Sequence, residues 1–242
     1  MAHGLKARAM QPAESILATL EARYGAPSPG WPTDPYLFLI WWHCGYPPSE
    51  ERCTLGWKAL QAAFGPSPGA LRAARPAQLA RALKAGGMVP ALRATRIRAI
   101  VRTVEEELGG NLRAALRQRS AAEAAKLLKR FPGIGAPGAD RILLFAAVAP
   151  VAAVPSSCPH VLVRVLVGTE SANYRASYDK ARALIEAQIP ATLAARQRAY
   201  LLLQRHGREL CKTKDPKCGE CPVATACAWR ARRIRRASAS AR

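Results

Sequence analysis

Acidic residues are scarce in this chain. Sixteen Asp and Glu stand against 37 Lys and Arg over 242 residues, a formal net charge of +21 with a pI near 10.6. Aromatic residues are also few, at 6 %, which argues against the aromatic-rich sheet platforms that read single-stranded RNA. No apolar run approaches the roughly 20 residues that a spanning helix needs; LFLIWW at 37–42 is short and is followed by His43. The first ten residues, MAHGLKARAM, hold no apolar stretch and no export cleavage signal, so a cytoplasmic protein is expected. Arginine is spread over the whole chain instead of lining one amphipathic helix beside a lipidation signal, so no membrane association is expected. Convincing period-two alternation is missing, which limits strand content. No repeat of 20 to 50 residues is apparent, which excludes a solenoid.

Half of the residues are apolar, enough for a substantial core in one large or two small domains. The basic excess is that of a polyanion binder, with nucleic acid the first candidate. Periodicity is helical almost throughout. Ile16, Leu17, Leu20 and Tyr24 form one apolar stripe; Leu55, Leu60 and Phe64 form another behind Ser49, an N-cap followed by Glu50 and Glu51. Leu79 and Leu83 follow Pro76, and Ile97, Ile100, Val101 and Val104 mark a helix ending at Gly109-Gly110. Ser120 and Glu123 form a capping box opening a helix to Arg130. Further helices are expected at about 157–167, 171–188 and 191–206. The Arg/Ser/Ala tail after Trp229 is expected to be disordered and available to phosphates.

The most specific feature is a run of 17 residues, CKTKDPKCGECPVATAC, with Cys211, Cys218, Cys221 and Cys227 at the spacing C-x6-C-x2-C-x5-C. A soft all-sulfur set in so compact a loop selects iron–sulfur or zinc over hard cations. A zinc ribbon usually pairs two short C-x2-C hairpins, whereas one C-x2-C is flanked here by wider steps. A [4Fe–4S] cluster is therefore favoured, with zinc and plain buried thiols as alternatives and disulfides the weaker reading. Lys212, Lys214 and Lys217 surround the ligands and present a cationic loop. The scattered Cys44, Cys53 and Cys158 read as reduced, partly buried thiols.

A second segment, LLKRFPGIGAPGADRILL at 127–144, reads as a helix-hairpin-helix. One helix ends at Phe131, Pro132-Gly133-Ile134-Gly135 makes a tight turn, and the next helix opens near Pro137. The glycines, Gly133, Gly135 and Gly138, let backbone N–H groups approach a phosphate oxygen, and Ile134 plugs the turn into the core. Lys129 and Arg130 read as phosphate contacts. Such contacts position a duplex without reading its bases.

Together these motifs resemble the endonuclease III-like DNA glycosylases of the helix-hairpin-helix superfamily. The resemblance runs from about residue 34 to 227. It is strongest in AYLLLQRHGRELCKTKDPKCGECPVATAC, where the H-G-x-x-x-C approach and the cysteine spacing match the family's iron–sulfur loop, and nearly as strong in PGIG. Asp34-Pro35-Tyr36, and Gly86-Gly87-Met88 before ALRATRIRAI, are weaker matches. The resemblance implies an all-α, two-lobed helix-hairpin-helix glycosylase fold with a C-terminal cluster loop. An N-terminal helix within 1–33 would pack on the cluster lobe. A six-helix barrel lobe would span 34–187, with the hairpin at about 120–148, followed by a cluster lobe at 188–229 and a tail at 230–242. DNA is expected to lie in the cleft between the lobes. The implied function is base-excision repair by a monomer on double-stranded DNA, damaged or abasic duplex included.

The same resemblance shows what this chain lacks. Bifunctional members continue the hairpin as G-x-G-R-K-T-A, whose lysine attacks the sugar; here Pro137 stands at that lysine. Monofunctional members keep an aspartate in a segment like V-D-S-N-x-x-R-V-L; here Pro155 stands at the aspartate and His160 at an arginine. No carboxylate lies between Asp140 and Glu170. The catalytic residue is thus unassigned, with Asp140 a weak candidate. Tyr46 falls at about the place of a base-probing glutamine and is suited to stack on or wedge between bases, whereas Trp41 and Trp42 read as core. The alternative to an active enzyme is a weak or inactive relative that recognises distorted duplex without excising a base.

Overall fold

The computed structural model describes residues 12–47, 49–171 and 173–240. Among these residues it is all-α: thirteen α-helices, no strand, and one isolated bridge pairing Tyr46 with Gly87. The chain divides into a central unit, Pro29–Ala149, and a terminal unit that joins Met1–Ser28 to Pro150–Arg242. These divisions differ from the sequence-based ones at 34 and 187, because residues 150–187 pack with the chain ends.

In the central unit, helices α2 (Pro35–His43), α3 (Glu50–Ala63), α4 (Pro68–Ala73), α5 (Pro76–Leu83), α6 (Pro90–Arg102), α7 (Leu112–Arg117), α8 (Ala121–Leu128) and α9 (Ala136–Phe145) follow one another through short turns. Their starts are written locally. Asp34, Ser49, Ser67, Asn111 and Ser120 each accept a first-turn N–H, and the Ser120–Glu123 capping box is complete. Proline opens α2, α4, α5, α6 and α9, where a missing N–H costs little. Helix α6 widens into a π-helical turn at Thr103–Glu107. Trp41 is fully buried, as expected, while Trp42 is half-buried and stacked on Phe38.

The terminal unit contains α1 (Pro12–Tyr24), α10 (His160–Leu166), α11 (Tyr174–Gln188), α12 (Leu193–Glu209) and α13 (Ala228–Ser240). Ile16, Leu17 and Leu20 of α1 bury against Val161, Ile185 and Leu202 in one core. Arg198 fastens α1 to α12 through Glu14 and Glu21, at 2.7 and 2.8 Å. The tail was expected to be disordered, yet 228–240 is a helix. It seats against α10 at the close approach of Gly168 to Ala228, where a Cβ would meet backbone at 2.8 Å. No described helix is long and apolar enough to cross a membrane.

Candidate nucleic-acid interface and metal centre

The hairpin lies within the central unit. Helix α8 ends at Leu128, Gly133 turns the chain with φ +68°, and α9 begins at Ala136, one residue ahead of Pro137. Ile134 is 6 % exposed, so it does plug the turn into the core, and Gly138 packs on its methyl groups. The N-cap of α9 is Gly135, which has no side chain to occupy the first-turn donors, and Gly133, Gly135 and Ala136 are exposed. The first-turn N–H groups at the positive end of α9 are thus left without a side-chain cap, the kind of helix start that suits an anion. Lys129 and Arg130 are exposed beside it, though Arg130 is shared with Glu107.

His43 braces this turn. Its Nε2–H donates to the Pro132 carbonyl at 2.8 Å, and its ring lies 3.4 Å from where a Cβ on Gly133 would sit. It is only 4 % exposed. Burial, with Arg96 and Arg93 nearby, holds the imidazole down to about 4 from 6.5. The unfolded chain therefore takes up the proton first. The stability tied to His43 is full above the ordinary value and falls as pH drops through about 6.5, levelling off near 4. The total loss is on the order of 3 kcal/mol. Urea unfolding of the wild type is expected to weaken more between pH 7 and 5 than that of His43→Leu; equal losses would assign the effect to other groups.

Asp140 is 5 % exposed, within a run of consecutive buried residues, 139–145, of α9. Its neighbour Arg141 lies 3.7 Å over the Trp31 ring and pairs with Glu50 at 3.0 Å.

Tyr46 is 40 % exposed and forms an edge with residues the sequence reading did not single out as a group. The Met88 N–H donates to the Tyr46 carbonyl and the Tyr46 N–H to the Gly86 carbonyl, both at 3.0 Å. Beside Tyr46, Met88, Val89 and Leu92 are exposed. Val89 is left-handed at φ 49°, an uncommon conformation for a β-branched residue. The edge is held from below by Arg93, which is 1 % exposed and donates to the carbonyls of Met88, Cys44, Leu83 and Gly87 at 2.6–2.9 Å. Gly86 and Gly87 have no room for a Cβ, which would come 1.7 and 2.4 Å from the carbonyls of Cys44 and Tyr46. Sequence offered no signal for Arg93, since its acceptors are backbone groups up to 49 positions away.

In the terminal unit, Cys211, Cys218, Cys221 and Cys227 line one small cavity of about 20 Å³, partly open to solvent, together with His206, Arg164, Lys217 and Arg230. Among the described residues, no three His, Cys, Asp or Glu side chains are grouped to hold a single metal ion. Burial pushes the Cys211 thiol up to about 11, opposed by Arg164, whose Nη1 lies 3.7 Å from the sulfur. Arg164 also donates to the carbonyls of Lys212 and Thr213, at 2.7 and 3.1 Å. His160 Nε2–H donates to the Cys211 carbonyl at 2.7 Å. His206 is fully buried and joins Tyr24 Oη, 3.0 Å from Nδ1, to Cys221 Sγ, 3.6 Å from Nε2. The neighbouring Gly207 lets α12 approach Cys158, where a Cβ would meet the cysteine at 2.4 Å. These contacts explain locally why a His-Gly pair precedes the first cysteine. Lys212, Lys214 and Lys217 are exposed on the loop, with Lys217 3.9 Å from Glu220.

No protein-family model matches the chain, and no curated protein does. Solved structures do match in fold. A trapped endonuclease III–DNA covalent intermediate aligns over 91 % of this chain and 96 % of its own, at 16 % identity and TM-score 0.71. A non-covalent endonuclease III–DNA complex aligns over 91 % and 96 %, at 17 % identity and TM-score 0.70. A thermostable thymine-DNA glycosylase aligns over 91 % and 97 %, at 18 % identity and TM-score 0.72. The chain thus has the endonuclease III-like fold.

Proposed function

We propose that this chain is a DNA-binding iron–sulfur protein that recognises damaged or distorted double-stranded DNA in the context of base-excision repair. The hairpin carries the reading: an uncapped, exposed helix start braced by His43, with Lys129 beside it, on a fold shared with DNA-bound structures. There the N–H groups around Gly133, Gly135 and Gly138 take a backbone phosphate oxygen, which fixes register without reading sequence. The exposed edge of Tyr46 and Met88 supplies an apolar wedge of the kind that enters easily unstacked base steps. Such steps are most accessible where the duplex is already damaged or mispaired.

The cysteine loop supports the iron–sulfur part of this reading: its four thiols line one hollow, and cationic Arg164, Lys217 and Arg230 beside them would offset thiolate charge. Cys211, Cys218, Cys221 and Cys227 are the residues that hold the cluster. When bound, a [4Fe–4S] cluster supplies a rigid, redox-capable cross-link between the ends of the loop. Arg164 and His160 hold the first arm of that loop through its carbonyls. His206 donates from Nε2 to the Cys221 thiolate, so its Nδ1 accepts from Tyr24 Oη. The loop then presents Lys212, Lys214 and Lys217 to phosphates.

Pro137 and Pro155 leave no amine or carboxylate at the positions where the family's chemistry is expected, and Asp140 is buried. Recognition without base release is therefore the preferred reading. A second reading, excision through other residues, is favoured by the likeness to a trapped covalent intermediate. Single-turnover assays on duplexes carrying damaged bases or an abasic site decide between them, run with anaerobically purified protein and with borohydride trapping. The expected result is lesion-dependent binding, no released base, no nick and no trapped adduct. Product that survives stringent purification would establish the second reading. Binding is expected to weaken steeply with salt, log K falling by roughly 0.9 per log salt for each phosphate held; a flat plot would sink both.

A further inference from the structure

The terminal helix α13 has an arrangement that neither the hairpin nor the cysteine loop accounts for. Trp229, Arg232, Arg233 and Arg236 recur at i, i+3, i+4 and i+7, which places them on one face. All four line a pocket of about 260 Å³, open to solvent, whose opposite wall is Gly168, Thr169 and Glu170 just past the end of α10. The three arginines are exposed, and the Arg233 guanidinium lies 4.6 Å from the Trp229 ring centroid. Glu170 is the pocket's one carboxylate and is already paired with the buried Arg164. Lys180 adds a further cation, 3.3 Å from the Thr169 hydroxyl. Three guanidiniums around one hollow repel each other unless an anion joins them, and planar guanidinium forks match phosphate oxygens.

We propose that this pocket is a second, seated site for a DNA backbone phosphate, which extends the duplex contact beyond the hairpin and the cysteine loop. The proposal rests on the DNA-binding reading. It differs from a charged tether in that the arginines act from a fixed place. Gly168 sets that place: at φ +77°, a Cβ there would come within 2.9 Å of both Ala228 and the Arg232 side chain.

The test uses the full chain with its visible chromophore intact and one abasic duplex, titrated across salt. For R232Q/R233Q/R236Q, the log K against log salt plot is expected to become shallower by about 0.9, one phosphate, with roughly tenfold weaker binding near 0.1 M salt. Gly168→Ala keeps every charge but unseats the helix, and is expected to lose a comparable part of the slope. A wild-type slope in the arginine variant overturns the proposal. So does a full slope in Gly168→Ala beside a reduced one in the arginine variant, because the charges would then act without a seat. If the wild type itself binds without salt dependence, the DNA-binding reading has failed and takes the pocket with it, an outcome distinct from the other two.

Discussion

Cys218→Ser is expected to abolish the visible absorbance of the protein and to release its cationic loop, with tryptic cleavage at Lys214 and Lys217 rising more than tenfold while the helices persist. Cys218 sits in the middle of the loop sequence. Arg164 and His160 hold only the arm at 211–213, and His206 reaches Cys221. Between these points the loop has a few backbone bonds, such as Lys217 N–H to the Leu210 carbonyl, and Val223 is one of its few buried apolar side chains. A segment with so little burial opens locally at small cost once its cross-link is gone. Affinity for duplex DNA is expected to fall with it. Unchanged iron content in the variant would sink the ligand assignment, whereas full DNA affinity after loss of iron would show that the loop does not dock.

Arg93→Met is expected to cost about 3–5 kcal/mol of stability in the central unit, the range for removing one member of a buried charged hydrogen-bonded group. The substitution leaves the carbonyls of Cys44, Leu83, Gly87 and Met88 without their donor, in a place where the guanidinium was 1 % exposed. Arg93→Lys is expected to recover little, since a point ammonium cannot serve four acceptors arranged for a fork. The same variant separates two parts of DNA recognition. Loss of the edge bearing Tyr46 and Met88 should erase the preference for distorted over regular duplex, yet leave the salt slope from the hairpin in place. Urea unfolding and paired titrations on the two duplexes check both. A loss below about 1 kcal/mol would mean that water replaces the guanidinium.

Much of the helical framework was legible because its signals are local. The Ser49 cap, the Ser120–Glu123 box and the proline starts each act within one turn and need no knowledge of the fold. The hairpin turn was legible for the same reason. What escaped depends on contacts between distant positions. His43 finds the Pro132 carbonyl 89 positions on, and Tyr24 meets His206 across 182. The tail read as disordered from its composition. As a helix it gains from Gly168 and Trp229, whose contacts with it and with Arg164 are tertiary. Pro137 and Pro155 were legible as absences.

Trp229 has one more consequence. Four of the five tryptophans, Trp31, Trp41, Trp42 and Trp57, belong to the central unit, and Trp229 alone to the terminal one. Its indole is a wall of both the cysteine-lined cavity and the arginine pocket. In a variant whose other four tryptophans are replaced by phenylalanine, its emission becomes an optical meter for one half of the molecule, read against a dark other half. Because the ring borders both hollows, a ligand in one that displaced the indole would reach the other, and linkage would then require the effect to run equally in both directions.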